Sequence, residues 1–126
     1  MMEPEFRVDR LKSATMRHRL SAQERQALQT FKEGVRKSLG DKLIQMILFG
    51  SRAREEGTEY SDLDVAVLVK EEDPDVRRAV YDQAAEIFMA FEISVSPLVI
   101  SHQRFDRYLR MGRRIACEIE REGISI

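Results

Sequence analysis

LFGSRAREEGTEYSDLDVAVLV, residues 48 to 69, is the stretch on which the reading of this chain turns. It joins two features. Gly50-Ser51 follows directly on the apolar run LIQMILF at 43 to 49, and Ser61-Asp62-Leu63-Asp64 leads into a second run, DLDVAVLV at 62 to 69. The first run is too short for a well-determined helix, is rich in strand formers and ends at a glycine, so it reads as a strand buried on both faces. The second reads as another strand. The dozen polar, turn-like residues between them (GSRAREEGTEYS, 50 to 61) leave room for a short helix.

Asp62 and Asp64 stand two apart on a strand, so their side chains leave one face about 6.6–6.8 Å apart. Leu63 and Val65 point the other way. Two parallel carboxylates repel each other until a cation neutralises them, and hard divalent cations favour such oxygen ligands. Gly50 at a strand end lets backbone N–H groups approach a phosphate, and the Ser51 hydroxyl adds a donor. Arg52 and Arg54 are further groups able to meet phosphate charge. Alone, a D-x-D pair is commonly a solvated strand end and a Gly-Ser a turn. Together at this spacing they are the equipment of phosphoryl or nucleotidyl transfer.

Outward from this centre the elements alternate. Upstream, Ser21 and Glu24 form a capping box, Leu28, Phe31, Val35 and Leu39 recur at helical spacing, and Gly40 supplies a stop. Downstream, Asp73-Pro74 opens a helix whose stripe is Val76, Val80, Ala84, Ile87 and Phe88. FEISVSPLVI at 91 to 100 alternates in its first half and reads as a strand, with Pro97 marking an edge or bulge. Ser101 caps one final helix carrying Phe105, Leu109, Gly112, Ala116 and Ile119, closed by Gly123. The expected fold is α/β (α+β), a small mixed sheet with helices packed on it. Residues 1–20 read as an N-terminal arm or short helix, and 21–126 as one domain.

Composition narrows the classes. With 126 residues the chain suits a single core. Its 21 Lys and Arg against 22 Asp and Glu argue against a non-specific nucleic-acid coat or a polybasic membrane binder. One cysteine, Cys117, excludes an intrachain disulfide, and no Cys/His spacing suggests zinc. No apolar run approaches a membrane span, and the opening MMEPEFRVDR lacks a signal-peptide core, so a cytoplasmic location is expected.

Residues 48 to 69 resemble the signature of the minimal nucleotidyltransferases of the DNA polymerase β superfamily: a Gly-Ser, a short loop, then Ser-Asp-x-Asp opening a strand. The resemblance implies that Asp62 and Asp64 bind Mg²⁺, with a two-metal site, and that Gly50 and Ser51 hold a nucleoside triphosphate; Arg52, Arg54 and Ser61 are the further nucleotide-binding candidates beside them. Two departures stand out. Glu55 follows Ala53-Arg54 where the family usually has glycine, with Gly57 nearby to take its role. The family also places a third carboxylate on a later strand. Glu92 is the acid on offer, one pleat repeat from Ser94, the position that aligns best. It reads either as the third catalytic carboxylate or as an edge-strand charge facing water.

The implied activity is transfer of a nucleoside monophosphate, AMP from ATP, to an acceptor hydroxyl. Similar minimal proteins are paired with a small helical partner of the HEPN type, in which case the transferase acts as antitoxin. The alternative is a nucleotide-binding module that regulates its partner with little or no catalysis. A small-molecule (antibiotic) nucleotidyltransferase is disfavoured, since larger relatives carry an acceptor-binding domain that 126 residues do not supply. His18 and His102 read as surface residues and Cys117 as a small core residue. Arg104, Arg107, Arg110, Arg113 and Arg114 read as a solvated face, with contact to an acidic protein or an RNA acceptor as the sharper option. Homo-oligomerisation is left open.

Overall fold

Ser21 and Glu24 form the expected capping box: the Glu24 N–H donates to the Ser21 hydroxyl at 3.0 Å, and the Ser21 N–H donates to the Glu24 carboxylate at 2.9 Å. They open α1 (Ala22–Leu39), which buries Ala27, Leu28, Phe31, Val35 and Leu39 and stops at Gly40. A 3-10 turn, Gly40–Lys42, leads into β1 (Leu43–Phe49). The computed structural model describes residues 20–50, 52–53 and 62–126. All of the expected arm but Leu20, and the short helix anticipated within 50 to 61, lie outside the described residues.

β2 (Leu63–Val69) pairs antiparallel with β1. Asp73 then caps α2 (Pro74–Phe91) by accepting the Val76 N–H at 2.9 Å, with Pro74 preset in the first turn. α2 crosses over so that β3 (Val95–Ser101) runs parallel to β2, which a short hairpin could not achieve. α3 (His102–Arg110), α4 (Arg114–Glu122) and β4 (Ile124–Ser125) follow, and β4 pairs antiparallel with β1. The strand order is β3-β2-β1-β4, a mixed sheet.

The pleat divides the core in two. Leu63, Val65, Val67 and Val69 of β2 pack with Phe31 and Val35 of α1 and Val76, Val80 and Ile87 of α2. Ala66 and Leu68 point the other way, to Phe105 of α3 and Ala116 and Ile119 of α4. The sheet is therefore covered on both faces, as its apolar runs demand. Among the described residues no helix is long and apolar enough to cross a membrane.

Four expectations need correction. The expected strand at 91 to 100 begins only at Val95: Phe91 is the last turn of α2, and Glu92 is its left-handed C-cap at φ 57°. Pro97 does lie on an edge strand. The single last helix is two, broken where Gly112 takes φ 72°, a conformation glycine adopts without steric cost. Phe88, expected in the buried stripe, is 54% exposed, and Cys117 is only half-buried.

Candidate functional site

The β1–β2 register brings the two halves of the motif together. Phe49 pairs with Asp64, so Gly50, the next residue, lies against the Asp64 side chain. Gly50 adopts φ 83°, and a Cβ placed on it would lie 2.4 Å from Asp64 Oδ2. Glycine is thus required twice here, by its backbone conformation and by the carboxylate beside it. Asp64 is half-buried in β2, and Asp62, just before the strand, is exposed. Strand alternation puts both on the face of Ala66 and Leu68, which α3 and α4 cover further along.

The chain after Gly50 passes to the opposite face. The Ala53 N–H donates to the Gly50 carbonyl at 3.1 Å, closing a tight turn. Ala53 joins the core under α1, and Arg52 is buried. Both terminal nitrogens of Arg52 donate to Glu24, Nη1 to Oε2 and Nη2 to Oε1, each at 2.8 Å. The two side chains are 7% exposed. Arg52, expected at phosphate, is instead committed to Glu24 at the start of α1. The same carboxylate closes the capping box, so local and long-range contacts converge on one residue.

With the two aspartates Glu92 forms no group able to hold a metal ion among the described residues. It sits off the sheet, on a cleft of about 480 Å³ with Ser21, Gln23, Glu24 and Ala90–Ile93. The residue in register with Asp64 on β3 is Ser96, not Ser94, whose carbonyl accepts the Leu63 N–H at 2.9 Å. Among the described residues no group of three or more Asp, Glu, His or Cys could hold a metal by itself. Two carboxylates still suit Mg²⁺, which is commonly held by one or two acids plus substrate phosphates. Ser51, Arg54 and Ser61, with Glu55, Gly57 and His18, lie outside the described residues.

The arginine-rich segment is largely engaged with its own neighbours. Arg104 contacts Glu72 at 2.8 Å and the Tyr108 hydroxyl at 2.9 Å, Arg113 lies 5.1 Å from the Tyr108 ring centre, and Arg114 pairs with Glu118. Arg110 pairs with Asp106, and Arg107 is exposed. His102 is half-buried, with its Nε2 shielded and unpaired.

Two carboxylates carry acid sensitivity. Burial pushes the Glu24 carboxyl up, but hydrogen bonds from Arg52 and the Ser21 N–H, with the guanidinium charge, outweigh it and hold it below 4.5. At Glu72, burial is likewise overcome by the Ser101 N–H, Arg104 and Arg77. A carboxylate depressed by folding contributes stability that is full above its unfolded pKa and is lost as pH falls through the folded one. The thermal midpoint should therefore hold from neutral pH down to about 5 and then fall, partly through these two groups. Scanning calorimetry across pH checks this. Glu72→Gln should make the acid-side fall shallower, and an unchanged fall would remove Glu72 from the account.

A family model described as polymerase beta, nucleotidyltransferase, matches residues 32–121. "Putative protein adenylyltransferase MJ1305" of Methanocaldococcus jannaschii is 34% identical over 76 residues, covering 58% of this chain and 52% of its own length. "Putative protein adenylyltransferase MJ0141" of the same organism is 36% identical over 74 residues, covering 57% of this chain and 74% of its own. The chain thus spans about half the length of the first relative and three quarters of the second. A crystal structure of a toxin–antitoxin complex, MntA-HpeT, aligns with TM-score 0.49 and 22% identity, over 82% of this chain and 70% of that one.

Proposed function

This chain belongs to the polymerase beta nucleotidyltransferase family, and on that premise we propose that it moves AMP from ATP to an acceptor hydroxyl on a partner protein. The observation that carries the reading is the contact of Gly50 with the Asp64 carboxylate, which joins the phosphate-binding turn to the aspartate pair. A strand pair this short and buried holds both rigidly, and positioning is most of what such chemistry asks of a protein. Asp62 and Asp64 would hold Mg²⁺ together with the nucleotide's phosphates. Bound there, the ion would supply charge neutralisation for the triphosphate and the departing pyrophosphate. Gly50, Ser51, Arg54 and Ser61 would bind the triphosphate, while Arg52 fixes the turn.

The relatives' name, protein adenylyltransferase, supports AMP as the group moved and a protein as acceptor. The acceptor we favour is a small helical protein of the HEPN type, this chain being its antitoxin, with both acting in the cytoplasm. The test is to mix purified protein, labelled ATP, Mg²⁺ and the protein encoded beside it. Label on that partner is the expected result. ATP bound with no label transferred in wild type would overturn catalysis.

That second outcome corresponds to a nucleotide-gated binding module. Ser96 in register with Asp64, where the family's third carboxylate would be sought, is the observation in its favour. Glu92 does not fill the gap from its place off the sheet. Glu92→Gln should accordingly leave single-turnover rate and ATP affinity unchanged within about 0.5 kcal/mol, as for an exposed position. A hundredfold loss of rate at intact ATP affinity would return Glu92 to the site.

A further inference from the structure

We propose that the Glu24–Arg52 pair is a positioning device that sets the turn after Gly50 for the nucleotide, an inference resting on the transferase reading above. Arg52 is only two residues beyond Gly50, yet its guanidinium is drawn across to the α1, α2 face and closed on Glu24 by two parallel hydrogen bonds of 2.8 Å. A planar fork meeting a carboxylate in this way fixes direction as well as distance, which a lysine cannot do. Glu24 is in turn held by the Ser21 N–H, so the turn is tied to a helix end that is itself capped. Arg25 adds a brace, its Nη1 donating to the Leu20 carbonyl at 2.7 Å.

The direction of this tie bears on function. Asp62 and Asp64 occupy one face of the sheet, and the Glu24–Arg52 pair lies toward the other, among residues that pack with α1. Pulling Arg52 and Ala53 down on that side leaves Gly50 at the strand end against Asp64. A burial motive alone is a weak explanation, because buried ion pairs are often no more stable than apolar replacements. A geometric role accounts for a fully charged pair at this spot.

Three variants separate positioning from plain stability. Glu24→Gln keeps the capping box, since glutamine serves at that position, but removes the charge facing Arg52. Arg52→Lys keeps a charge but loses the fork. Ser21→Ala weakens the helix cap and leaves Glu24 and Arg52 in place. Two readouts are taken well below each variant's midpoint: exchange of the Ala53 amide, which donates to the Gly50 carbonyl, in the free protein, and affinity for a non-hydrolysable ATP analogue with Mg²⁺. Glu24→Gln and Arg52→Lys should speed exchange and weaken the analogue by about tenfold or more, as for lost hydrogen bonds to a charged group. The double variant should be little worse than either single one. Ser21→Ala should lower the midpoint and leave affinity within about twofold.

Unchanged affinity in folded Glu24→Gln and Arg52→Lys would overturn the proposal, as would equal losses in Ser21→Ala. If wild type binds no analogue, the transferase reading falls and takes the nucleotide role with it. Exchange at the Ala53 N–H, the donor that closes the turn on the Gly50 carbonyl, then still reports whether the pair sets the turn.

Discussion

Asp64→Asn and Asp62→Asn should each cost more than about 100-fold in label transfer, because even residues that only orient a metal ligand are worth about 10–100-fold. Both changes keep size and hydrogen-bonding capacity and remove one negative charge. They should not unfold the protein. Asp62 is exposed and Asp64 half-buried, and removing either charge relieves repulsion between carboxylates on one strand face. In Asp62→Asn the thermal midpoint of the free protein should stay level or rise, the usual relation where a site is built against stability. In wild type, Mg²⁺ with ATP should raise the midpoint by mass action, and that increment should shrink in both variants. Transfer at the wild-type rate in both variants would remove the aspartates from the site.

The elements legible in the sequence were those marked by local chemistry. The capping box at Ser21 and the caps at Asp73 and Ser101 begin helices within a residue of where expected. The runs 43 to 49 and 63 to 69 became strands because each packs on both faces. The errors came where one local pattern imitated another. FEISV alternates like a strand, but Ile87 to Phe91 also continues the periodicity of α2, and helix packing won. The stop there is a glutamate in the left-handed region, for which sequence offers no marker as plain as glycine. Gly112 falls at helical spacing with Leu109 and Ala116, yet its positive φ makes it a breaker between α3 and α4.

The candidate site was legible in its residue types but not in its cross-connections. Gly50 was read for the backbone approach it allows to a phosphate, whereas the structure gives it a second neighbour, Asp64, fixed by strand register. Glu24 already had a local role in the capping box, so nothing in its surroundings pointed to an arginine 28 residues away. Arg52 followed Gly-Ser and looked like a phosphate ligand. Its burial depends on how the chain leaves β1, which no spacing rule expresses. On the polar face of Glu92, Ser94 and Ser96, alternation alone does not say which residue meets Asp64; the register with β2 selects Ser96, two residues beyond the Ser94 that aligns best by sequence.

Gly50→Ala should cost transfer far more than so small a change suggests, and the reason can be divided experimentally. An alanine at φ 83° pays for a conformation that side chains avoid, about 1–3 kcal/mol. Its Cβ would also meet Asp64 at Oδ2, 2.4 Å away, with Cγ at 3.2 Å and Cβ at 3.3 Å. The carboxylate end can rotate aside, but the Asp64 Cβ is fixed to a paired strand, so relief comes from displacing the carboxylate or opening the β1 end. Either outcome moves the acid from its place beside the turn. Transfer should therefore fall much further than the midpoint does. The carboxylate's share is isolated by repeating the change in an Asp64→Ala background, where the carboxylate is gone and the backbone penalty remains with only the milder approach to the Cβ of residue 64 at 3.3 Å. Urea unfolding of the four proteins should show a smaller loss from Gly50→Ala in that background than in wild type. Equal losses in both would mean that Gly50 answers to backbone conformation alone, and that its contact with Asp64 does not constrain the site.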